Sequence, residues 1–146
     1  MPEESTTPDL ELLAQRFVDA CNAPDFDAVM SLYAPAALVE GAFETYEGGA
    51  AVRGLYEDWV GAYEDFEFDV KETRGLGRDV AFVVFAWRGR LPGSSGWVQI
   101  RIAAVLTLAD GLIRRQKNYT DIDAARAAAE RLAEERRSVV EDSGSG

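Results

Sequence analysis

Apolar residues recur at three- and four-residue spacing along the first part of the chain, and at two-residue spacing in much of the rest. Leu10, Leu13, Phe17, Val18 and Cys21 share one helical face behind Asp9, a good N-cap, and Asn22-Ala23-Pro24 ends that helix. Asp25 caps a second helix, whose apolar side is Phe26, Val29, Met30 and Tyr33; Pro35 stops it. Leu38 to Gly41 predicts a short strand, and Gly41 to Gly49 a loop containing Tyr46. A third helix is expected from Ala50 to Tyr63, with Val52, Leu55, Tyr56, Trp59, Val60 and Tyr63 inward.

Four strands then follow in sequence. Phe66, Phe68 and Val70 alternate, and Val80 to Arg90 is apolar on both faces, as a central strand is. The segment RLPGSSG turns the chain into a long strand, Trp97 to Leu108. Ala109-Asp110-Gly111 is a tight hairpin turn, and Leu112 to Tyr119 is the last strand. Asp121 or Asp123 caps a final alanine-rich helix to about Arg137. The predicted order is α-α-β-α-β-β-β-β-α. Residues 9–137 are expected to form one domain, with 1–8 disordered and 138–146 a flexible tail. Segregated helices and antiparallel strands make an α+β fold, in which a curved sheet wraps around the helices and leaves an apolar cone.

Composition narrows the chemistry. The 146 residues are 47% hydrophobic, enough for one core. There is no histidine, which removes the commonest general base, the Ser-His and Cys-His nucleophile pairs and most zinc sites. Cys21 is the single cysteine, so no internal disulfide or thiolate metal cluster is expected. No glycine-rich phosphate loop follows a strand, so no cofactor is expected. The net charge of −11 argues against nucleic acid as a partner. No apolar run approaches the roughly 18 residues of a membrane span, and the polar, acidic start MPEESTTPD is unlike a signal peptide, so a cytoplasmic location is expected. Charge is unevenly distributed: residues 1–72 carry 17 acids and 3 bases, and residues 73–120 carry 2 acids and 8 bases. That asymmetry is either attraction between helices and sheet or a basic pocket for an anion.

Three stretches carry a resemblance. "LAQRFVDACNAPDFDAVMSLYAPAALVEG" and "GGAAVRGLYEDW" resemble the opening and third helix of ketosteroid isomerase. "VLTLADGLIRRQKNYTDIDAARAA" resembles the end of the SnoaL-like polyketide-cyclase family and of limonene epoxide hydrolase. All belong to the nuclear transport factor two-like superfamily, which implies a cone-shaped fold with three N-terminal helices on a curved sheet. The resemblance covers about Asp9 to Leu132 and specifies the fold more than the function.

Carried over residue by residue, the isomerase's oxyanion tyrosine falls on Phe17, its general-base aspartate on Gly41 and its second oxyanion donor on Ala104. Only a supporting tyrosine is retained, as Tyr56. These departures argue against steroid isomerisation. The epoxide hydrolase's arginine falls near Arg88, and its two aspartates fall on Arg90 and Asn118, which leaves both carboxylates missing. Asp121 is the nearest remaining acid for a cyclase-like role, but its position just past the strand reads first as a helix cap. Glu40 precedes Gly41. It faces away from the cone if position 41 faces in, and a one-residue slip would bring it inward, where burial raises a carboxylate's pKa toward that of a base.

What remains is a candidate pocket. If Asn118 faces the cone, alternation brings Gln116 and Arg114 with it, near Arg88, Tyr56 and Trp59. The arginines would hold a carboxylate or enolate, while Asn118, Gln116 and Tyr56 would donate to a carbonyl oxygen. Alternatively, the arginines pair with helix acids and the amides satisfy each other. A one-residue shift would substitute Ile113, Arg115, Lys117 and Tyr119. Phe85, Trp87 and Trp97 are expected on the convex face with Arg101, as a homodimer interface or under the C-terminal helix. Two functions follow. One is a cofactor-independent enzyme acting on an apolar carbonyl compound by isomerisation, cyclisation or hydration. The other is a non-catalytic protein that binds a small apolar or carboxylate-bearing molecule. A carboxylate side chain inside the cone, from Glu40 or Glu44, would favour the enzyme.

Overall fold

The computed structural model describes the backbone of residues 2–41 and 43–145, and side chains over 9–41 and 43–137. The expectations for residues 1–8 and 138–146 fall where side chains lie outside the described residues. Helices α1 (Pro2–Asn22), α2 (Phe26–Met30) and α3 (Gly49–Gly61) precede four long strands, and α4 (Ile122–Ser145) follows them. The strands are β1 (Tyr33–Glu40), β2 (Thr45–Glu47), β3 (Asp65–Leu76), β4 (Val80–Arg90), β5 (Val98–Ala109) and β6 (Leu112–Tyr119). They form one sheet in the order β2-β1-β6-β5-β4-β3, antiparallel except where β1 runs parallel to β6.

The local signals act as their chemistry dictates. Asp25 caps α2 by accepting from Ala28 N at 3.1 Å, and Asp121 caps α4 by accepting from Ala124 N at 3.0 Å. Asp110 (φ 54°) and Gly111 (φ 78°) make the left-handed pair that a two-residue hairpin turn needs. Several boundaries differ from expectation. Helix α1 already begins at Pro2, so Asp9 lies within it and is not its N-cap, and α4 continues past Arg137 to Ser145. Helix α2 ends at Met30, and Tyr33 opens β1 instead of closing a helix. Pro35 is accommodated inside β1 because the pairing with β6 shifts between Tyr33 and Leu38, so no ladder bond is required of it there. The predicted loop holds a short edge strand, β2, whose Tyr46 pairs with Val39.

The sheet separates two apolar layers. Helices α1 to α3 pack on its inner face with Phe17, Val18, Val52, Tyr56, Val83, Phe85 and Ala104. Helix α4 packs on the outer face, where Ala125, Ala129 and Ala133 meet Phe82, Val84, Ala103 and Val105. Small alanines let this helix approach the sheet closely. No described helix is long and apolar enough to cross a membrane.

A candidate ligand cavity

A cavity of about 240 Å³ opens between α3 and the inner face of the sheet. Its deep end is aromatic. Phe17 from α1 sits edge-on to Tyr56, Phe68 and Phe85, with ring centroids 5.4–5.6 Å apart. Trp59 from α3 meets Phe68 and Trp87 edge-to-face at 5.2 and 5.4 Å. Toward solvent the lining passes to Leu55, Ile100, Asn118 and Thr120. Ile100 is 40% exposed because β6 ends opposite Ala103 and leaves the start of β5 uncovered.

One polar network crosses this apolar floor. Tyr33 Oη–H donates to Gln116 Oε1 at 2.5 Å, so the 2.6 Å contact between the two phenols is donated by Tyr56. Gln116 Nε2 donates to Tyr56 Oη at 3.3 Å and to Asn118 Oδ1 at 2.9 Å. Every polar atom of Gln116 is engaged, as a buried amide requires. The chain of donors also orients Asn118, which lines the cavity: its oxygen accepts from Gln116, and its NH2 group makes no hydrogen bond among the described residues.

Burial is the main cause that raises both phenols above their ordinary value of 10.0, Tyr33 well above it. They stay protonated at neutral pH and act as donors, not bases. Burial likewise lifts the Cys21 thiol from 9.0 to about 12. A raised folded-state pKa means that the unfolded chain releases its protons first. Stability is therefore complete below pH 9 and declines as pH climbs, from the thiol first and from the phenols above about 10. Urea titrations between pH 8 and 11 should show this monotonic loss, and a flat profile would contradict the burial of these groups.

Several expected site residues are elsewhere. Phe17, Tyr56, Trp59, Gln116 and Asn118 line the cavity; Arg88, Arg114, Glu40, Gly41 and Ala104 do not. Arg88 points to the outer face, ion-paired with Glu67 and with its guanidinium 4.2 Å from the Trp97 ring centroid. Val83 lies opposite Ala104 and Trp87 opposite Ile100, so the odd-numbered residues of β4 face inward. The same parity corrects Phe85 and Trp87, which lie in the cavity wall and not on the convex face. Arg90 pairs with Asp65 and Glu64.

Arg114 is displaced by a β-bulge. Thr107 pairs with Arg115 and Leu108 with Ile113, so Arg114 is an extra residue in β6. Ile113 and Gln116 both face in, while Arg114 and Arg115 are both exposed. Glu40 lies on the outer face, ion-paired to Arg115 at 2.7 Å. Gly41 donates to Glu44 O at 2.8 Å and closes the β1–β2 turn, and Ala104 is core, paired with Asn118. Glu44 is exposed. Sequence reasoning missed Tyr33, assigned to a helix, and Leu55, Phe68, Ile100, Ile102 and Thr120 as lining. The alternation of Phe66 and Phe68 was the signal available for one of them.

The profile of the SnoaL-like domain family matches residues 14–116. No curated protein matches the chain. A protein assigned as a polyketide cyclase from Sinorhizobium meliloti is 25% identical with a TM-score of 0.61, over 73% of this chain and 93% of that one. A Catenulispora acidiphila protein with a ketosteroid isomerase-like fold, in complex with trimethylamine, has a TM-score of 0.67 at 14% identity, over 80% of this chain and 91% of that one. A Mycobacterium tuberculosis protein in complex with estradiol-17β-hemisuccinate has a TM-score of 0.67 at 16% identity, over 79% and 95%.

Proposed function

Because the chain belongs to the SnoaL-like domain family, we propose that its inner cavity binds a neutral, apolar small molecule through one carbonyl oxygen. The observation that carries this reading is the orientation of Asn118. Gln116 donates to its oxygen, and its NH2 group, on a residue lining an aromatic pocket, has no hydrogen-bond partner among the described residues. The ligand's body would stack among Phe17, Trp59, Phe68 and Trp87, and its carbonyl would accept from Asn118 Nδ2. The lining supports binding more than acid-base chemistry, since Glu40 and Glu44 point elsewhere and the phenols hold their protons. An aromatic or steroid ketone is the first probe, in view of the steroid ester held by the Mycobacterium protein.

Asn118→Asp tests the assignment. The new carboxylate still accepts from Gln116 but offers no donor to the ligand. Affinity for the ketone should fall about tenfold or more, a loss of roughly 1.4 kcal/mol, with the fold intact by circular dichroism. Unchanged affinity by calorimetry would remove Asn118 from the site.

A catalytic reading is favoured by the similarity to the polyketide cyclase from Sinorhizobium meliloti. Donation from Asn118 to the carbonyl would then stabilise an enolate, with the α-proton passing to solvent water because no carboxylate among the described residues lines the cavity. It requires α-proton exchange of a bound ketone in deuterated water, measured by NMR. Binding without exchange leaves the first reading standing.

A further inference from the structure

A cluster of positive charge on this acidic chain lies on the other side of the sheet. Helix α4 covers the outer face of β4 and β5 but leaves the outer face of β6, β1 and β2 bare beside it. The resulting groove, about 670 Å³, has five basic and three acidic residues in its walls, although the whole chain carries −11. Arg115 is neutralised by Glu40, and Arg136 is drawn to Asp79. Arg114, Lys117 and Arg131 make no ion pair among the described residues, and Glu47 and Glu135 stand at the same walls. The bulge in β6 contributes to this: without its extra residue, strict alternation would keep Arg114 from sharing Arg115's face. The floor between the cationic groups is apolar, formed by Leu38, Val105 and Leu132.

We propose that this groove is a second ligand site, separate from the inner cavity, for an amphiphile with one anionic head and an apolar chain. Arg114, Lys117 and Arg131 take the head, a carboxylate or a phosphate. Leu38, Val105 and Leu132 receive the chain, removing apolar surface from water. Arg114 and Lys117 come from β6 and Arg131 from α4, so two packed elements contribute cations to the same groove. The sheet lies between groove and cavity, and neither Asn118 nor Phe17 takes part. Failure of the ketone site therefore leaves this site unaffected.

The test uses the full chain with sodium decanoate, decyl phosphate and decanol, followed by calorimetry and by amide chemical shifts. Decanoate or decyl phosphate should bind and shift Lys117 and Arg131, with little change at Phe17. Comparing the two distinguishes a carboxylate source from a phosphate source. The double variant Lys117→Ala/Arg131→Ala, exposed at both positions, should weaken binding about tenfold or more. Raising NaCl from roughly 50 mM to roughly 500 mM should weaken it too. Decanol should bind no better to the parent than to the variant. The proposal is overturned if neither anion binds, if the double variant binds them equally well, or if decanol matches decanoate. It is also overturned if sedimentation shows a second copy of the chain seated on the groove and excluding the probes.

Discussion

Phe17→Ala should lower stability by about 3–5 kcal/mol, a fall in Tm of roughly 10 °C or more for a chain of this size. Phe17 is 5% exposed and stands edge-on to four rings, those of Tyr33, Tyr56, Phe68 and Phe85. Its loss removes transfer free energy and the electrostatic fit of ring edges to ring faces together. The site also cannot collapse around the gap, because one side of the ring already borders the open cavity. The same void enlarges the pocket, so the variant should gain affinity for bulkier ketones relative to small ones. Thermal unfolding and a ligand series check both halves. A Tm within about 3 °C of the parent would mean that the aromatic floor repacks freely, and the cavity would then not be preformed.

Gln116→Leu should cost about 1–3 kcal/mol, although it inserts an apolar side chain into an apolar place. Gln116 is 5% exposed and accepts the proton of Tyr33. Without it the Tyr33 hydroxyl has no acceptor at that buried position, and Asn118 is no longer held in its orientation. Tyr33→Phe alone should cost a similar amount, since it removes both the donor to Gln116 Oε1 and the acceptor of the Tyr56 proton. The double variant should cost clearly less than the sum of the two, because the Tyr33–Gln116 hydrogen bond is then lost once and not counted twice. Urea unfolding of all four proteins gives the coupling energy. Strict additivity would show that the network contributes nothing cooperative. Ketone affinity should fall in Gln116→Leu as well, through Asn118, and that readout separates orientation from bulk stability.

Much of the fold was legible in the order of the residues. Asp25 and Asp121 cap helices as their positions imply, Asp110-Gly111 turns the last hairpin, and the change from helical to alternating periodicity falls between Tyr63 and Phe66. These signals are local, set by backbone sterics and short-range hydrogen bonds, so they survive without knowledge of the neighbours. Part of the site was legible for the same reason. Tyr56 and Trp59 follow from one helical face, and Gln116 and Asn118 share parity on one strand.

Facing was not legible where the pattern was symmetric. Residues 80–87 are apolar on both sides because helices cover both faces of β4, so no sequence contrast told Phe85 and Trp87 from Val84 and Ala86. Only the pairing of Val83 with Ala104 sets that parity. Nor does the sequence announce the bulge at Arg114, which resets the alternation within one strand and moves an arginine from the expected pocket to the outer groove. Tyr33 passed for a helical residue, and its role is defined by Gln116, 83 residues away. Sequence alone therefore determined the helices, the long strands, their order and the scarcity of acid-base groups, but not the short edge strand β2. Tertiary structure decided which side of the sheet each charge occupies, because the face of a strand depends on a register that only its partners can set.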